Sequence, residues 1–356
     1  MIIGNEVVDL APLFELNDSR NYLLSTLDFT DPVPVESHKV AVSQLIESNE
    51  SLFNHPTSRF SSEHNVTKRE NGEEWLIEIP YFLREDLIKP QDVQGKRKAG
   101  SSIEETLPDL YAEYIAKHNV AFQRTKESIL AASLFSGKTH TPKTDDVLID
   151  YSTLFGVSPM TATVDASSTN TMTVFKQFDQ MHTDMIAKAQ SQAATIERVV
   201  VFCKPAAFNA IRYSVGMVNA FQYASPVDDA NVVFNVRSLL PGVTTFTIPG
   251  TNIDLIKVTD PLLLAHMTAD AVAIPKLAKG AGVYQAIFGA PSSSFDLLSQ
   301  GAKEYLKWST KTGHRVRVFS SIDFPIRLVV THHYIRAVLV RCNIQRYSPL
   351  LRELHR

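Results

Sequence analysis

The chain has 356 residues, of which 44% are hydrophobic and 21% are charged, and its net charge is −3. This is the composition of an ordinary globular protein with one large or two smaller domains, and it excludes global disorder. The near-neutral charge also excludes the strong positive field of a dedicated nucleic-acid-binding protein. The two cysteines predict a reducing compartment without disulfides, and no apolar run reaches the roughly 18 residues that a membrane-spanning helix needs.

The first 35 residues predict an arm that packs either on its own core or on a neighbour. Turn-favouring pairs such as Asp31-Pro32 interrupt regular structure, yet large apolar residues recur throughout the segment. The first 50 residues carry nine acids and two bases, whereas bases dominate from residue 303 onward. The acidic start and the basic end can attract each other within or between chains, although two separately solvated surfaces explain the charges equally well.

Residues 36–89 predict a long β-hairpin whose strands lie at 38–43 and 73–79. About 30 mostly polar residues separate these strands and end at the turn dipeptide Asn71-Gly72. Because so polar a hairpin cannot bury both of its faces in its own domain, we expect it to project. A Gly-flanked linker with the triplet Lys96-Arg97-Lys98 follows. This triplet fits a phosphate contact, but a solvated linker or an ion pair between chains is the favoured interpretation.

Residues 101–137 predict one helix of about 30 residues, roughly 45 Å long. Either of two capping boxes begins it, Ser102 with Glu105 or Thr106 with Asp109. Gly137 offers the left-handed residue that ends it. The segment Lys117-His118-Asn119 weakens the apolar stripe, so we expect part of the helix to lie exposed or against a neighbouring chain.

Helices alternate with apolar strands over residues 166–300, which predicts an α/β or α+β layer domain. The helices are expected at 172–194 and at 205–221, and a strand buried on both faces is expected at 196–202. In the helix at 172–194, the stripe that repeats at helical spacing includes Ile186. Further strands are expected at 147–151, 244–248, 253–258, 271–274, 283–288, 315–322, 326–331 and 334–340.

No motif for catalysis or cofactor binding is complete. Gly137-Lys138-Thr139 matches only the end of a phosphate-binding loop, and Ala132 stands where that loop requires glycine. The eleven histidines do not have the spacing of metal ligands, and His118 is expected to be a surface residue or a satisfied polar one. There is no nucleophile elbow and no dinucleotide fingerprint. The residues themselves therefore predict no enzyme, no cofactor and no metal site.

The order of these parts resembles the lambda-like family of tailed-phage major capsid proteins, which have the Hong Kong 97-type shell fold. Three stretches carry the resemblance: a helix end followed by an apolar strand and Phe155-Gly156, a strand-to-helix step, and a closing strand with a Pro-containing turn. They lie at 129–156, 199–208 and 321–340. The resemblance implies an α+β fold with an N-terminal arm (1–35), an extended loop hairpin and linker (36–100), a peripheral domain with a long spine helix (101–165), an axial domain (166–300), and a return to the peripheral domain with a C-terminal tail (301–356).

The resemblance also implies a function. The chain would self-assemble through pentamers and hexamers into an icosahedral head shell that encloses double-stranded DNA without sequence-specific binding. It would have no catalytic activity, no cofactor and no membrane contact, with portal, scaffold and decoration proteins as further partners. It would assemble in the host cytoplasm and reside in the virion. Candidate inter-subunit contacts are Glu73, Glu74, Trp75, Arg84, Lys96, Arg97 and Lys98. The alternatives are an α/β enzyme with an oligomerisation hairpin and a nucleic-acid-binding scaffold.

Overall fold

The computed structural model describes residues 22–37, 39–45, 72–79, 81–93, 106–140, 146–154, 159–223, 243–280, 284–289, 305–312, 315–323, 326–329 and 338–342. The helices are α1 Leu23–Leu27, α2 Pro90–Val93, α3 Leu107–Ala131, α4 Tyr151–Leu154, α5 Thr173–Ala189, α6 Pro205–Arg212, α7 Val215–Tyr223 and α8 Pro261–His266. A π-helical turn, Ala132–Ser136, continues α3, and a 3₁₀ turn, Gln190–Thr195, continues α5.

The strands are β1 Asp31–Pro34, β2 Lys39–Leu45, β3 Gly72–Glu78, β4 Tyr81–Ile88, β5 Lys138–His140, β6 Val147–Asp150, β7 Thr161–Val164, β8 Ile196–Cys203, β9 Thr245–Thr247, β10 Ile253–Lys257, β11 Ala271–Leu277, β12 Tyr284–Phe288, β13 Tyr305–Thr312, β14 Arg315–Asp323, β15 Ile326–Val329 and β16 Val338–Cys342. The helices and strands together make an α+β fold.

A six-stranded mixed sheet with the order β7-β16-β11-β8-β10-β9 forms the centre of the molecule. Strand β8 pairs in parallel with β10 and antiparallel with β11. Residues 199–203 of β8 are all buried, which confirms the prediction of a strand covered on both faces. Strands β7 and β16, which lie outside residues 166–300, complete this sheet.

Helices cover both faces of this sheet and give it a three-layer arrangement. On one face, α5, α6 and α7 contribute buried side chains that pack against Val199 and Val201: Phe178, Met181, Phe208, Ile211 and Met217. On the other face, α1, the end of the long helix and α8 pack against Val200 and Phe202: Leu23, Leu24, Leu130, Leu134, Phe135 and Leu263. The core therefore joins the N-terminal segment, the long helix and the sheet.

The long helix has the predicted boundaries. Thr106 and Asp109 form the capping box at its start, Pro108 lies in its first turn, and Gly137 ends it with a left-handed φ of 67°. Helix α3 has 25 residues, and the π-helical turn adds 5 more before Gly137. The alternative start at Ser102 lies outside the described residues.

The expected hairpin strands are also confirmed. Strands β2 and β3 pair antiparallel in a separate two-stranded sheet, with Lys39 opposite Glu78 and Leu45 opposite Gly72. We call β2 and β3 the ribbon. Strand β4 belongs instead to a three-stranded sheet of order β13-β14-β4.

Three expectations about secondary structure and packing were wrong, and one strand was not predicted. The helix at 205–221 breaks at Ser214, whose hydroxyl donates to the carbonyl oxygen of Ile211 at 2.8 Å. Residues 31–34 form strand β1 despite two prolines, because β1 is an edge strand and pairs on one side only. Ile186 lies outside the buried stripe of α5 and is exposed. Strand β13, which the sequence did not predict, pairs with β14.

Candidate assembly surfaces

A seam joins the long helix α3 to strand β4. At one end of the seam, Phe82 of β4 packs on Phe122 and Ile129 of the helix. At the other end, Ile88 packs on Leu110. Residues 82, 86 and 88 alternate along the strand, so one face of β4 is turned toward the helix along its whole length.

A buried histidine occupies the middle of this seam. His118 has no solvent exposure, and its Nε2 lies 2.5 Å from Oδ2 of Asp86 on β4. Its neighbour Lys117 is exposed and pairs with Glu113 one helical turn earlier. His118 is thus the satisfied polar residue that the sequence allowed for. The expectation that part of the helix lies exposed is confirmed at Lys117, whereas His118 packs on its own chain.

A buried carboxylate ties the N-terminal segment to the long helix. Glu127 of α3 is only 2% exposed. It accepts hydrogen bonds from the backbone N–H of Leu24 at 2.6 Å and of Ser25 at 3.1 Å, and from the Ser25 hydroxyl at 2.8 Å. Charge-assisted bonds of this kind are stronger than neutral ones and offset the cost of burying the charge. Glu127 therefore fixes α1 on the helix.

A second tie holds the segment after α1 at the turn that follows β11. The Nζ of Lys279 donates to Asp28 at 2.6 Å, and the backbone N–H of Gly280 donates to Asp31 at 3.0 Å. The hydrogen bond to Asp28 raises the pKa of Lys279 above its ordinary value. Together with the parallel pairing of β1 and β12, these contacts attach residues 28–34 to their own chain. The part of the arm that is described thus packs on its own core.

An ion pair lies across the strands of the large sheet. Arg198 of β8 donates to Asp254 of β10, and the hydroxyl of Thr247 on β9 donates to the same carboxylate at 2.7 Å. Asp254 is buried, so both donors serve to satisfy its charge. The network links three neighbouring strands of the sheet.

A comparison of the sequence with models of known protein families shows the family to which the chain belongs. A model of the family described as phage major capsid protein E matches residues 6–260, which is more than half of the chain. The chain belongs to this family. It is a major capsid protein, a virion structural protein that forms the head shell by self-association. No match was found among curated proteins.

Solved phage structures resemble the capsid protein at low sequence identity. The capsid of Myoviridae Phage XM1 is 12% identical with a TM-score of 0.50, over 93% of this chain and 98% of that one. A structure from Mycobacterium phage Bobi is 10% identical with a TM-score of 0.49, over 94% and 98%. The mature capsid of bacteriophage PhiM1 is 10% identical with a TM-score of 0.47, over 90% and 87%. The XM1 likeness supports the Hong Kong 97-like fold.

The structure distributes the candidate contact residues of the capsid protein over two sheets. Glu73, Glu74 and Trp75 lie on β3 of the ribbon, opposite Gln44, Ser43 and Val42. Arg84 lies on β4, where its side chain is 45% exposed and its Nε is 4.0 Å from Asp86. The basic triplet at 96–98 lies outside the described residues.

The described residues of the capsid protein hold no group of three or more histidine, cysteine or carboxylate side chains that fits a metal ion. In the same part of the chain, no helix is long and apolar enough to cross a membrane. Gly137-Lys138-Thr139 is no phosphate-binding loop, because Gly137 ends a helix and Lys138 begins β5, which pairs antiparallel with β6.

Sequence reasoning missed two features of the capsid protein. One is the tie at Glu127, for which a weak signal exists: an acid near the end of a helix opposes the helix dipole and therefore needs an outside partner. The other is an exposed apolar corner where α5 begins and α6 meets α7. Its side chains are Met172, Tyr213, Val215 and Val218. The backbone of Thr171, just before α5, lies against Gly216 of α7. A Cβ added to Gly216 would stand 2.2 Å from the carbonyl oxygen of Thr171. The start of α5 and the start of α7 are therefore adjacent at this corner.

Proposed function

We propose that the ribbon and the residues between its strands form an extended loop that lies over the adjacent subunit of the shell. The observation that carries this proposal is the pairing of β2 and β3 with each other in a sheet of their own. An isolated two-stranded hairpin is marginally stable in water and needs a further surface to pack on. In a self-associating protein, the adjacent subunit supplies that surface.

The remaining parts have complementary roles in this proposal. The long helix is the spine of the peripheral domain, and the large sheet belongs to an axial domain that meets its copies around the axes of pentamers and hexamers. The boundaries at 35, 100, 165 and 300 stay predictions. A contact between two different surfaces of the same chain, repeated around an axis, closes into a ring. Such rings are the units of an icosahedral shell.

The charged candidates Glu73, Glu74, Arg84 and the triplet 96–98 are proposed as the polar rim of these contacts. Rim charges set register and the rate of association more than affinity. We further propose that the protein is a shell subunit without catalytic activity, assembled in the host cytoplasm. Its partners would be portal, scaffold and decoration proteins. The shell would enclose double-stranded DNA without reading its sequence, which a net charge of −3 supports.

Replacement of residues 39–78 by a short Gly-Ser linker tests the extended-loop proposal. We expect the subunit to keep the thermal unfolding transition of the large sheet and to lose pentamers, hexamers and shells in sizing chromatography and negative-stain electron microscopy. Normal shells from the shortened chain would contradict the proposal.

A further inference from the structure

The long helix ends in an unusual turn. Residues Ala132–Ser136 follow α3 as a π-helical turn, and the backbone N–H of Gly137 donates to the carbonyl oxygen of Ala132, five residues earlier. In a regular α-helix each such bond spans four residues. Wide turns of this kind are rare, occur mostly as single turns inside α-helices, and are frequent at functional sites. A specific cause must therefore hold the end of α3 in this conformation.

One buried side chain lacks a hydrogen bond in this turn. Ser133 is 7% exposed, and its hydroxyl has no partner among the residues that the structure describes. Other helical hydroxyls of the chain bond to the carbonyl oxygen four residues earlier. Thr125 of the same helix does so with Ala121, and Thr183 of α5 with Asp179, both at 2.9 Å. Ser133 departs from this pattern, and an unsatisfied buried hydroxyl lowers the stability of the turn.

The wide turn changes which groups meet around Ser133. The usual partner of the Ser133 hydroxyl would be the carbonyl oxygen of Ile129. In this conformation that oxygen shares the N–H of Ala132 with the carbonyl oxygen of Ser128. An α-helical register would direct both the N–H and the hydroxyl of Ser133 to Ile129, in the way that Thr125 bonds to the residue four before it. The hydroxyl of Ser133 therefore favours the α-helical register.

The packing of the core favours the opposite state. Leu130 of the helix and Phe135 of the turn lie in the same apolar cluster, although they are five residues apart. Residues five apart on an α-helix point roughly 140° away from each other, so an α-helical register would turn Phe135 away from its present neighbours. One of these is Phe202, whose ring centroid lies 5.2 Å from that of Phe135. The wide turn thus keeps Phe135 in the core and leaves the Ser133 hydroxyl unsatisfied.

A change in this turn would be transmitted to the hairpin that follows it. Gly137 leads directly into β5, and its carbonyl oxygen accepts the N–H of Tyr151, just after β6, at 3.1 Å. The hydroxyls of Thr139 and Tyr151 lie 2.8 Å apart. Strands β5 and β6 are therefore fixed to each other and to the end of the turn. Since Val147 and Leu148 on β6 are 47% and 40% exposed, this hairpin presents apolar surface.

We propose that residues 132–137 are a two-state switch between the π-helical register and an α-helical one, and that the register sets where the β5–β6 hairpin lies in each subunit of the shell. The π-helical register, which keeps Phe135 in the core, is the state of the free subunit. Contacts that a neighbouring chain makes with the hairpin select the α-helical register at some positions. A shell of pentamers and hexamers holds identical chains in unequal surroundings, which such a switch accommodates. This inference rests on shell formation and is independent of the extended loop.

The structure of the assembled shell tests the switch in the unmodified protein. Electron cryo-microscopy at side-chain resolution should show both registers. The N–H of Gly137 should bond to the carbonyl oxygen of Ala132 in some subunits and to that of Ser133 in others, with β5 and β6 displaced between the two. A single register in every subunit of the shell, whether π-helical or α-helical, would overturn the proposal.

A serine variant tests the cause of the switch. Ser133→Ala removes the unsatisfied hydroxyl, so the free subunit should keep or raise its thermal unfolding temperature. Because the variant no longer favours the α-helical register, its yield of closed shells should fall several-fold. The matched control is Thr125→Ala, which removes a hydroxyl from the same helix with a similar gain in helix propensity. The control should assemble shells in the yield of the unmodified protein.

Each outcome of the serine experiment is decisive. Equal yields of shells from Ser133→Ala and from the control would show that this hydroxyl selects no register. An unfolding temperature that falls in Ser133→Ala but not in the control would show that the hydroxyl is already hydrogen-bonded in the free subunit. Either result would overturn the proposal. Should neither variant assemble, the registers in shells of the unmodified protein decide. The extended-loop function fails separately, if the chain without residues 39–78 still assembles.

Discussion

The large sheet and the seam along the long helix are stabilised in different ways. In the sheet, residues 199–203 of β8 are buried between two layers of helices and pack in apolar clusters on both faces. At the seam and at α1, buried polar groups hold the elements together, His118 with Asp86 and Glu127 with the backbone of α1. Apolar burial sets the stability of the subunit, whereas the polar ties set where the arm and β4 lie on the helix.

The largest effect is expected in the sheet. Phe202 has no solvent exposure, and its ring centroid lies 5.2 Å from that of Phe135 and 6.0 Å from that of Phe29. Phe202→Ala should lower the free energy of unfolding by about 3–5 kcal/mol, because it removes a buried ring and leaves a cavity. Urea unfolding measures this change. Val218→Ala, at an exposed position, is the control and should stay within about 0.5 kcal/mol of the unmodified protein.

The polar tie of the N-terminal segment ranks second. Glu127→Ala removes the acceptor of two backbone N–H groups, which should cost about 1–3 kcal/mol. Limited proteolysis should then cut near α1 sooner than in the unmodified protein. Glu113→Ala, on the same helix but exposed, should change stability by less than about 0.5 kcal/mol. If both variants lowered the free energy of unfolding equally, the hydrogen bonds of Glu127 would contribute no more stability than an exposed acid, which would contradict this account.

The end of the long helix ranks third. Gly137 has a φ of 67°, and an added Cβ would meet no atom within 4 Å. Gly137→Ala should therefore cost about 1–2 kcal/mol through backbone conformation alone. Gly137→Asn should recover most of that loss, because asparagine tolerates the left-handed region. Thermal unfolding of the two variants separates the cost of the left-handed backbone conformation from a loss of packing. Equal losses of stability in the alanine and asparagine variants would contradict the backbone explanation.

A pH-dependent contribution is expected at Asp150. Burial raises the pKa of Asp150, but hydrogen bonds from Ser152 and Thr153 and the charge of Lys138 outweigh it, so the pKa lies below its ordinary value of 3.8. A lowered pKa in the folded state gives stability that is present above the ordinary pKa and is lost as the pH falls through the folded value. Asp150→Asn should therefore flatten the decline of unfolding free energy below about pH 4. An unchanged acid profile would contradict this.

The smallest effect is expected at the exposed pair of Lys117 and Glu113. Their hydrogen bond raises the pKa of Lys117, yet both side chains are about half exposed. Lys117→Ala should cost less than about 0.5 kcal/mol, and added salt should remove the difference. A larger, salt-independent loss in urea unfolding would mean that the polar side of the helix supports the fold as strongly as the sheet does.

The sequence predicts best what depends on local pattern. The helical spacing of Phe178 and Met181 and the apolar run of β8 were enough to place a buried helix and a buried strand. The capping box at Thr106 and the stop at Gly137 were equally local. The ribbon was predicted from strand composition, and its pairing follows from antiparallel geometry.

What depends on distant contacts was not predictable in the same way. Glu127 contacts a backbone 103 residues away, so its burial has no local pattern. The break at Ser214 accompanies the close approach of Gly216 to Thr171, which no periodicity reveals. Apolar and polar residues alternate only weakly along strand β13, so its sequence does not mark it as a strand. Its pairing with β14 defines it.

The assembly state of the purified, full-length protein tests the central claim most directly. Sizing chromatography and negative-stain electron microscopy over a range of salt and protein concentrations should show pentamers, hexamers or closed shells. A monomer or dimer under all of these conditions, even when the protein is co-expressed with neighbouring phage genes, would contradict the account of a shell-forming subunit.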